Sequence, residues 1–239
     1  HPDAGHAVRG RIDAGAPWPD QRIEPADYLH PERRQQHFVQ RLTVTEYIET
    51  VRRSVGVDVE QEAREWLPRD LRADGFSNTA YNLNVDLKHV EAYNRLARIA
   101  AERIDANKVA AHYANDNSLN EANLRQLVEK MGKRLLRGPL SEEEVSAYLQ
   151  IGKVVAEQDG KLPDAVRYIV EAMLQSPRFI YRIERQPQSD KSQPVGQHEL
   201  AVRLSYIIWG GPPDAELIRA ADAGELSDET KLREQAQRL

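Results

Sequence analysis

The chain has 239 residues, a formal net charge of −5 and no cysteine. That length holds one large domain or two small ones. The missing cysteine excludes disulfides, thiolate catalysis, cysteine-type zinc sites and covalent haem attachment through Cys-x-x-Cys-His within these residues. The 33 basic residues are scattered rather than striped, so the chain carries no electrostatic footprint for nucleic acid.

Aromatic residues make up only 6% of the chain and charged residues 30%. The core must therefore be built mostly from Leu, Val, Ile and Ala, which favours helices. No run approaches the roughly 18 apolar residues of a membrane span, and His1 opens no signal-peptide pattern. A chain that starts without Met is expected to be processed or a fragment.

Residues 1–31 hold five of the 13 prolines and read as an irregular lead segment. The first clear helix is "TVTEYIETVRRSVG". Thr43 and Glu46 form a capping box, Val44, Tyr47, Ile48, Val51 and Val55 fall at helical spacing, and Gly56 stops it. A weaker helical pattern, "VEQEAREWL", ends at Pro68. After the polar stretch "RADGFSNTAYNLNVD", the segment "DLKHVEAYNRLARIAAERI" predicts a helix with Val90, Tyr93, Ala97, Ala100 and Ile104 on its buried side.

The polar patch "HYANDNSLN" separates this helix from "EANLRQLVEKMGKRLLRG", whose apolar stripe is Leu124, Leu127, Val128, Met131 and Leu135. Ser141 and Glu144 form a second capping box, opening a helix that buries Val145, Tyr148, Leu149 and Val155 and ends at Gly160. Pro163 stands near the first position of the next, which presents Val166, Ile169, Val170, Met173 and Leu174. "RFIYRIE" continues that helix or turns into a short strand. Beyond "QPQSDKSQP", three helices are expected, broken at Gly210–Pro213 and at Gly224, with Ser227 capping the last.

The expected fold is mainly α, helical modules joined by loops with little or no sheet. The boundaries are a lead segment at 1–31, a first module at 32–113, a second at 114–186, a linker at 187–195, and the start of a third module, truncated, at 196–239.

The Asn/Asp-rich stretch offers hard oxygen ligands in Asp74, Asn78, Asn82, Asn84 and Asp86, without the spacing or closing Glu of an EF-hand loop. Asn, Asp, Ser and Gly equally build turns through their own backbone, and Asp86 stands where an N-cap belongs. The structural turn is the preferred reading, with a metal site as its rival. Asn115, Asp116, Asn117 and Glu121 divide the same way.

Histidines at 1, 6, 30, 37, 89, 112 and 198 contain no His-Glu-x-x-His helix pattern. His1 and His6 could meet in a flexible tail, where adventitious metal binding is the preferred reading and a real metal site its rival. Trp209 is expected in the core, whereas Trp18 and Trp66 are open to stacking on sugars. No serine lies in a Gly-x-Ser-x-Gly elbow, and no catalytic residue can be chosen from the 38 carboxylates.

Several segments together resemble planctomycete-type multidomain proteins of unknown function. "RLTVTEYIETVRRSVGV" with "DGFSNTAYNLNVDLKHVEAYNRLA" resembles a first domain, "RLLRGPLSEEEVSAYL" with "AVRYIVEAMLQSPRFIYRIE" a second, and "LAVRLSYIIWGGPPDAELIRAADAGELSD" the start of a third. "IDAGAPWPD" resembles the last residues of a planctomycete-type cytochrome c domain. Gly138 and the approach "REWLPRDLRADGF" depart from the family pattern.

The resemblance implies a periplasmic or extracellular protein in which a haem domain sits beside helical modules. It supplies no catalytic residues and puts no cofactor in this chain, leaving haem c to an upstream domain or a partner. The leading expectation is an accessory helical scaffold of an exported cytochrome c-associated redox protein, supporting electron transfer or docking to a protein partner such as a c-type cytochrome. The alternatives are a polysaccharide-active or oxidative enzyme with its site between modules, using Asp74, Asn78 or Asp86, and a structural subunit of a larger assembly.

Overall fold

A computed structural model describes residues 38–70, 85–113, 121–184 and 195–239. The lead segment, Trp18, the four histidines up to His37, Asp74, Asn78, Asn82, Asn84, Asn115, Asp116, Asn117, the side chain of Glu121 and residues 187–194 of the linker lie outside the described residues.

The described residues are mainly α-helical: eleven α-helices and one two-stranded antiparallel ribbon. Strand β1 (Phe38–Arg41) leads into α1 (Val44–Val55) and α2 (Glu60–Trp66). Next come α3 (Leu87–Arg103), α4 (Ala106–Tyr113) and α5 (Glu121–Leu135). Then α6 (Glu142–Glu157), α7 (Leu162–Gln175) and the single turn α8 (Pro177–Ile180) run into β2 (Tyr181–Glu184). Finally α9 (Gln197–Trp209), α10 (Ala215–Asp222) and α11 (Glu229–Arg238) follow.

The local start signals work as their chemistry requires. Both halves of the Thr43/Glu46 and Ser141/Glu144 capping boxes are present, and Asp86 caps α3 by accepting from the His89 backbone N–H. Gly56 and Gly210 end their helices at φ 73° and 68°, left-handed positions that glycine fills without steric cost. Two caps differ from expectation. Asp159, at φ 58°, takes the left-handed position after α6 instead of Gly160, and Asp228 rather than Ser227 caps α11. Ser227 closes a short 3-10 turn, so the helix begins one residue later.

One continuous core runs from Leu42 to Phe179 and takes in Val202 and Tyr206 of α9. Its central element is α7, whose Val166, Ile169, Val170, Met173 and Leu174 are all buried. The face of α3 against it is made by Ala92, Tyr93, Leu96, Ala97 and Ala100. Val90, expected there, is 55% exposed, because the alanine-rich face is rotated away from it. Helix α6 is also shallower than expected: Val145 is buried, while Tyr148, Leu149 and Val155 are half-buried. A small second core joins Ala201 of α9 to Leu217, Ala220, Ala221 and Leu226.

The segment "RFIYRIE" divides between the two expected states. Ser176 caps the turn α8, and the chain then extends into β2, which pairs with β1 in the register Gln40↔Arg182.

Candidate functional site

Tyr206, projecting from α9 into the main core, is where the described parts of the chain are tied together. Its hydroxyl lies 2.8 Å from Oγ1 of Thr50 on α1 and accepts from the Arg137 guanidinium at 3.3 Å. The ring carries the Arg182 guanidinium 4.8 Å from its centroid, a cation-π contact.

Arg137 follows α5 at φ 60°, a left-handed conformation that turns its side chain back under α8. There Nη2 donates to the carbonyls of Arg178 and Phe179, which the short turn leaves without helical partners, and to that of Tyr181 at the start of β2. Arg182 donates to the Gln40 amide oxygen at 2.5 Å and pairs with Glu46 at 3.2 Å. Nη1 of Arg178 reaches both oxygens of Glu144 at 2.6 Å while Nη2 donates to the Pro139 carbonyl, which fixes the start of α6 against α8.

These side chains border a cleft of about 290 Å³ between the α5–α6 turn, β2 and α9. Its charged lining is Arg137, Arg178, Arg182 and Arg203 facing Glu144 and Glu199. Arg178 and Arg182 keep 26% and 13% of their side-chain surface exposed, so their electrostatics are screened less than those of a surface pair. Among the described residues no carboxylate reaches ion-pair distance of Arg137; its charge is met by carbonyl and hydroxyl dipoles. His198, at the cleft edge, lies 3.2 Å from Asp222, which also pairs with Lys133 at 2.5 Å. Burial first, and then the Lys133 charge, hold His198 below its ordinary pKa against the opposing pull of Asp222.

A second polar cluster lies beneath β1. Arg41 is buried and pairs with Asp70 at 2.9 Å, while the other Asp70 oxygen accepts from the Val44 backbone N–H at 2.7 Å. Tyr93 lies 3.4 Å from the same guanidinium. Next to it the Tyr47 ring packs against Tyr93 and Phe179, and its buried hydroxyl has no hydrogen-bond partner among the described residues. Burial drives the Tyr47 phenol well above its ordinary range and pushes Tyr113, which donates to the Ser54 carbonyl at 2.6 Å, up to about 12.

Of the residues singled out from sequence, Asp86 is a largely exposed helix cap paired with His89. Among the described residues no three His, Asp or Glu side chains come together in a way that would hold a metal ion, and no helix is long and apolar enough to cross a membrane. Trp209 is not a core residue. It is half-buried at the end of α9, with its indole N–H on the Gly211 carbonyl and the Arg53 guanidinium over its ring at 4.8 Å. Trp66 is half-buried against the main core.

The arginines of the cleft were passed over because each, in sequence, reads as one of many scattered basic residues. The available signal was "SPRFIYRIE", which places two arginines four apart inside an otherwise apolar stretch.

Comparison with protein-family models matches three consecutive segments. Residues 40–106 match the family described as "Protein of unknown function (DUF1587)", residues 123–184 that described as "Protein of unknown function (DUF1595)", and residues 195–239 that described as "Protein of unknown function (DUF1592)". The chain thus carries three consecutive domains of the planctomycete-type series. No curated protein and no solved structure matches it. Thr50 and Glu46 lie in the first matched segment, Arg137, Arg178 and Arg182 in the second, and Tyr206 in the third.

Proposed function

We propose that this series of three domains is the helical scaffold of an exported redox protein, holding a c-type cytochrome domain in place for electron transfer or docking to a protein partner. The observation that carries the reading is the junction at Tyr206, where side chains from all three matched segments meet in buried hydrogen bonds and cation-π contacts. A support that must keep a redox centre at a set distance from its partner needs modules that do not swing, and a shared core with a polar lock supplies that stiffness. The likeness of "IDAGAPWPD" to the end of a cytochrome c domain names the haem group as the thing supported. Haem would be held by residues outside this cysteine-free chain.

The test is the intact mass and visible spectrum of the protein purified from its source. The expected result is a polypeptide heavier than 27.2 kDa with a Soret band. A protein of that mass without a Soret band, and with no haem protein co-purifying, overturns the redox reading.

A further inference from the structure

We infer that the outer face of α6 and α7 is the surface on which two copies of this chain meet about a two-fold axis. Helix α6 is 16 residues long yet buries one side chain, Val145, where α3 and α7 bury seven and six. Its other apolar side chains are gathered on one side. Ala147, Ile151, Val154 and Val155 recur at helical spacing and, with Tyr168 of α7, line an open groove of about 590 Å³ between the two helices. Val154 is 42% and Tyr168 55% exposed. A helix whose apolar stripe is only half covered gains free energy when a second surface takes the rest of it out of water.

The rim of the groove selects the occupant. Lys153 and Glu157 stand one helical turn apart beside Val154, both exposed, and neither has an ion-pair partner among the described residues. The side-chain amides of Gln150 and Gln158, on the groove wall, likewise have no hydrogen-bond partner among the described residues. On a two-fold axis each surface meets its own copy, so positions equidistant from the axis face one another. An antiparallel pairing of α6 with α6 of a second copy, its axis between Val154 and Val155, brings Lys153 of each copy beside Glu157 of the other and Gln150 beside Gln158. The valines meet at the centre. The rim is thus complementary to itself, whereas a partner with charges of one sign would leave either Lys153 or Glu157 opposed. Helices α6 and α7 are joined through residues 158–161 alone, a connection short enough to make them antiparallel neighbours, and two such pairs laid face to face form a four-helix arrangement. The inference stands apart from the redox reading, since it concerns this chain alone and needs no haem.

The experiment is sedimentation equilibrium of the 239-residue chain at concentrations from about 1 to 100 μM, the range in which modest interfaces assemble. A concentration-dependent rise from 27.2 kDa to twice that mass is expected. Val154→Asp brings two carboxylates together at the axis and is expected to weaken the dimer about a hundredfold or more. Lys153→Glu and Glu157→Lys each oppose like charges and are expected to weaken it about tenfold. An equimolar mixture of those two variants restores association, as does the double variant, because opposite charges again face one another across the axis. Such a rescue does not arise from a loss of folding, and the thermal midpoints of the variants check that directly. A chain that stays at 27.2 kDa throughout overturns the inference and leaves the groove to a different protein or another segment. A dimer that Val154→Asp leaves intact overturns it too, as do masses beyond the dimer or a mixture that shows no rescue.

Discussion

The hydroxyls of Thr50 and Tyr206 lie 2.8 Å apart in the buried interior although 156 residues separate them in the chain. Thr50 also donates to the Glu46 carbonyl one turn earlier at 2.6 Å, so its proton is committed to α1 and the proton between the two hydroxyls belongs to Tyr206. Tyr206 thereby donates to the first matched segment and accepts from Arg137 of the second.

Removing that hydroxyl strands two groups. Tyr206→Phe is expected to destabilise the fold by about 1–3 kcal/mol, since the Arg137 guanidinium loses an acceptor and Thr50 a donor in a buried setting. Urea denaturation of Tyr206→Phe, Thr50→Val and the double variant measures it; the double variant should cost clearly less than the two singles added.

Tyr47→Phe has the opposite sign. Its hydroxyl is buried without a partner among the described residues, so deleting it removes a desolvated polar group while keeping the ring contacts with Tyr93 and Phe179. A gain of about 1 kcal/mol is expected, seen as a higher urea midpoint with unchanged slope. A loss of stability would show that the hydroxyl is satisfied in solution.

The Arg41–Asp70 pair tests the entry to α1. Asp70→Ala leaves the Arg41 charge buried and frees the Val44 N–H, for an expected cost of about 3 kcal/mol or more. Calorimetric unfolding checks it; a cost near that of an exposed ion pair, below about 1 kcal/mol, would count against the described burial.

Acidification acts through His198. Its folded pKa is depressed, so below the ordinary value of about 6.5 the unfolded chain binds more protons than the folded one. The stability this histidine contributes is fully present above about pH 6.5 and is lost as pH falls through that value toward its folded pKa, at no more than about 1.4 kcal/mol per pH unit. Urea midpoints at pH 8, 7, 6 and 5 should fall more steeply for the wild type than for His198→Gln.

What could be read from sequence was local. Thr43 with Glu46, Ser141 with Glu144, and Asp86 mark helix starts because cap and backbone partner lie within one turn. The stripe Leu124, Leu127, Val128, Met131 and Leu135 was legible because large side chains trace the buried face of α5. On α3 the same logic misplaced Val90, since close packing against α7 selects small residues and the alanines, not the valine, mark the interface. Helix α4 was hidden by the polar text around it and β1 by its four-residue length, whereas β2 was one of the two readings of "RFIYRIE". The cleft was illegible because long arginine stems collect there from three distant parts of the chain. The metal reading of Asp74, Asn78 and Asn82 falls on residues the structure does not describe, and Asp86 acts as a cap.

The β1–β2 ribbon also bears on how the chain is made. Gln40 and Arg182 meet across it although 142 residues apart, and Leu42 donates to the Ile180 carbonyl at the same seam. At synthesis rates of about 5–20 residues per second, the first strand leaves the ribosome on the order of ten seconds before its partner exists. Throughout that interval Tyr47 lacks the Phe179 ring that later covers it, and Glu46 lacks Arg182. The nascent chain must therefore keep an unfinished aromatic surface from sticking elsewhere until the second matched segment is nearly complete.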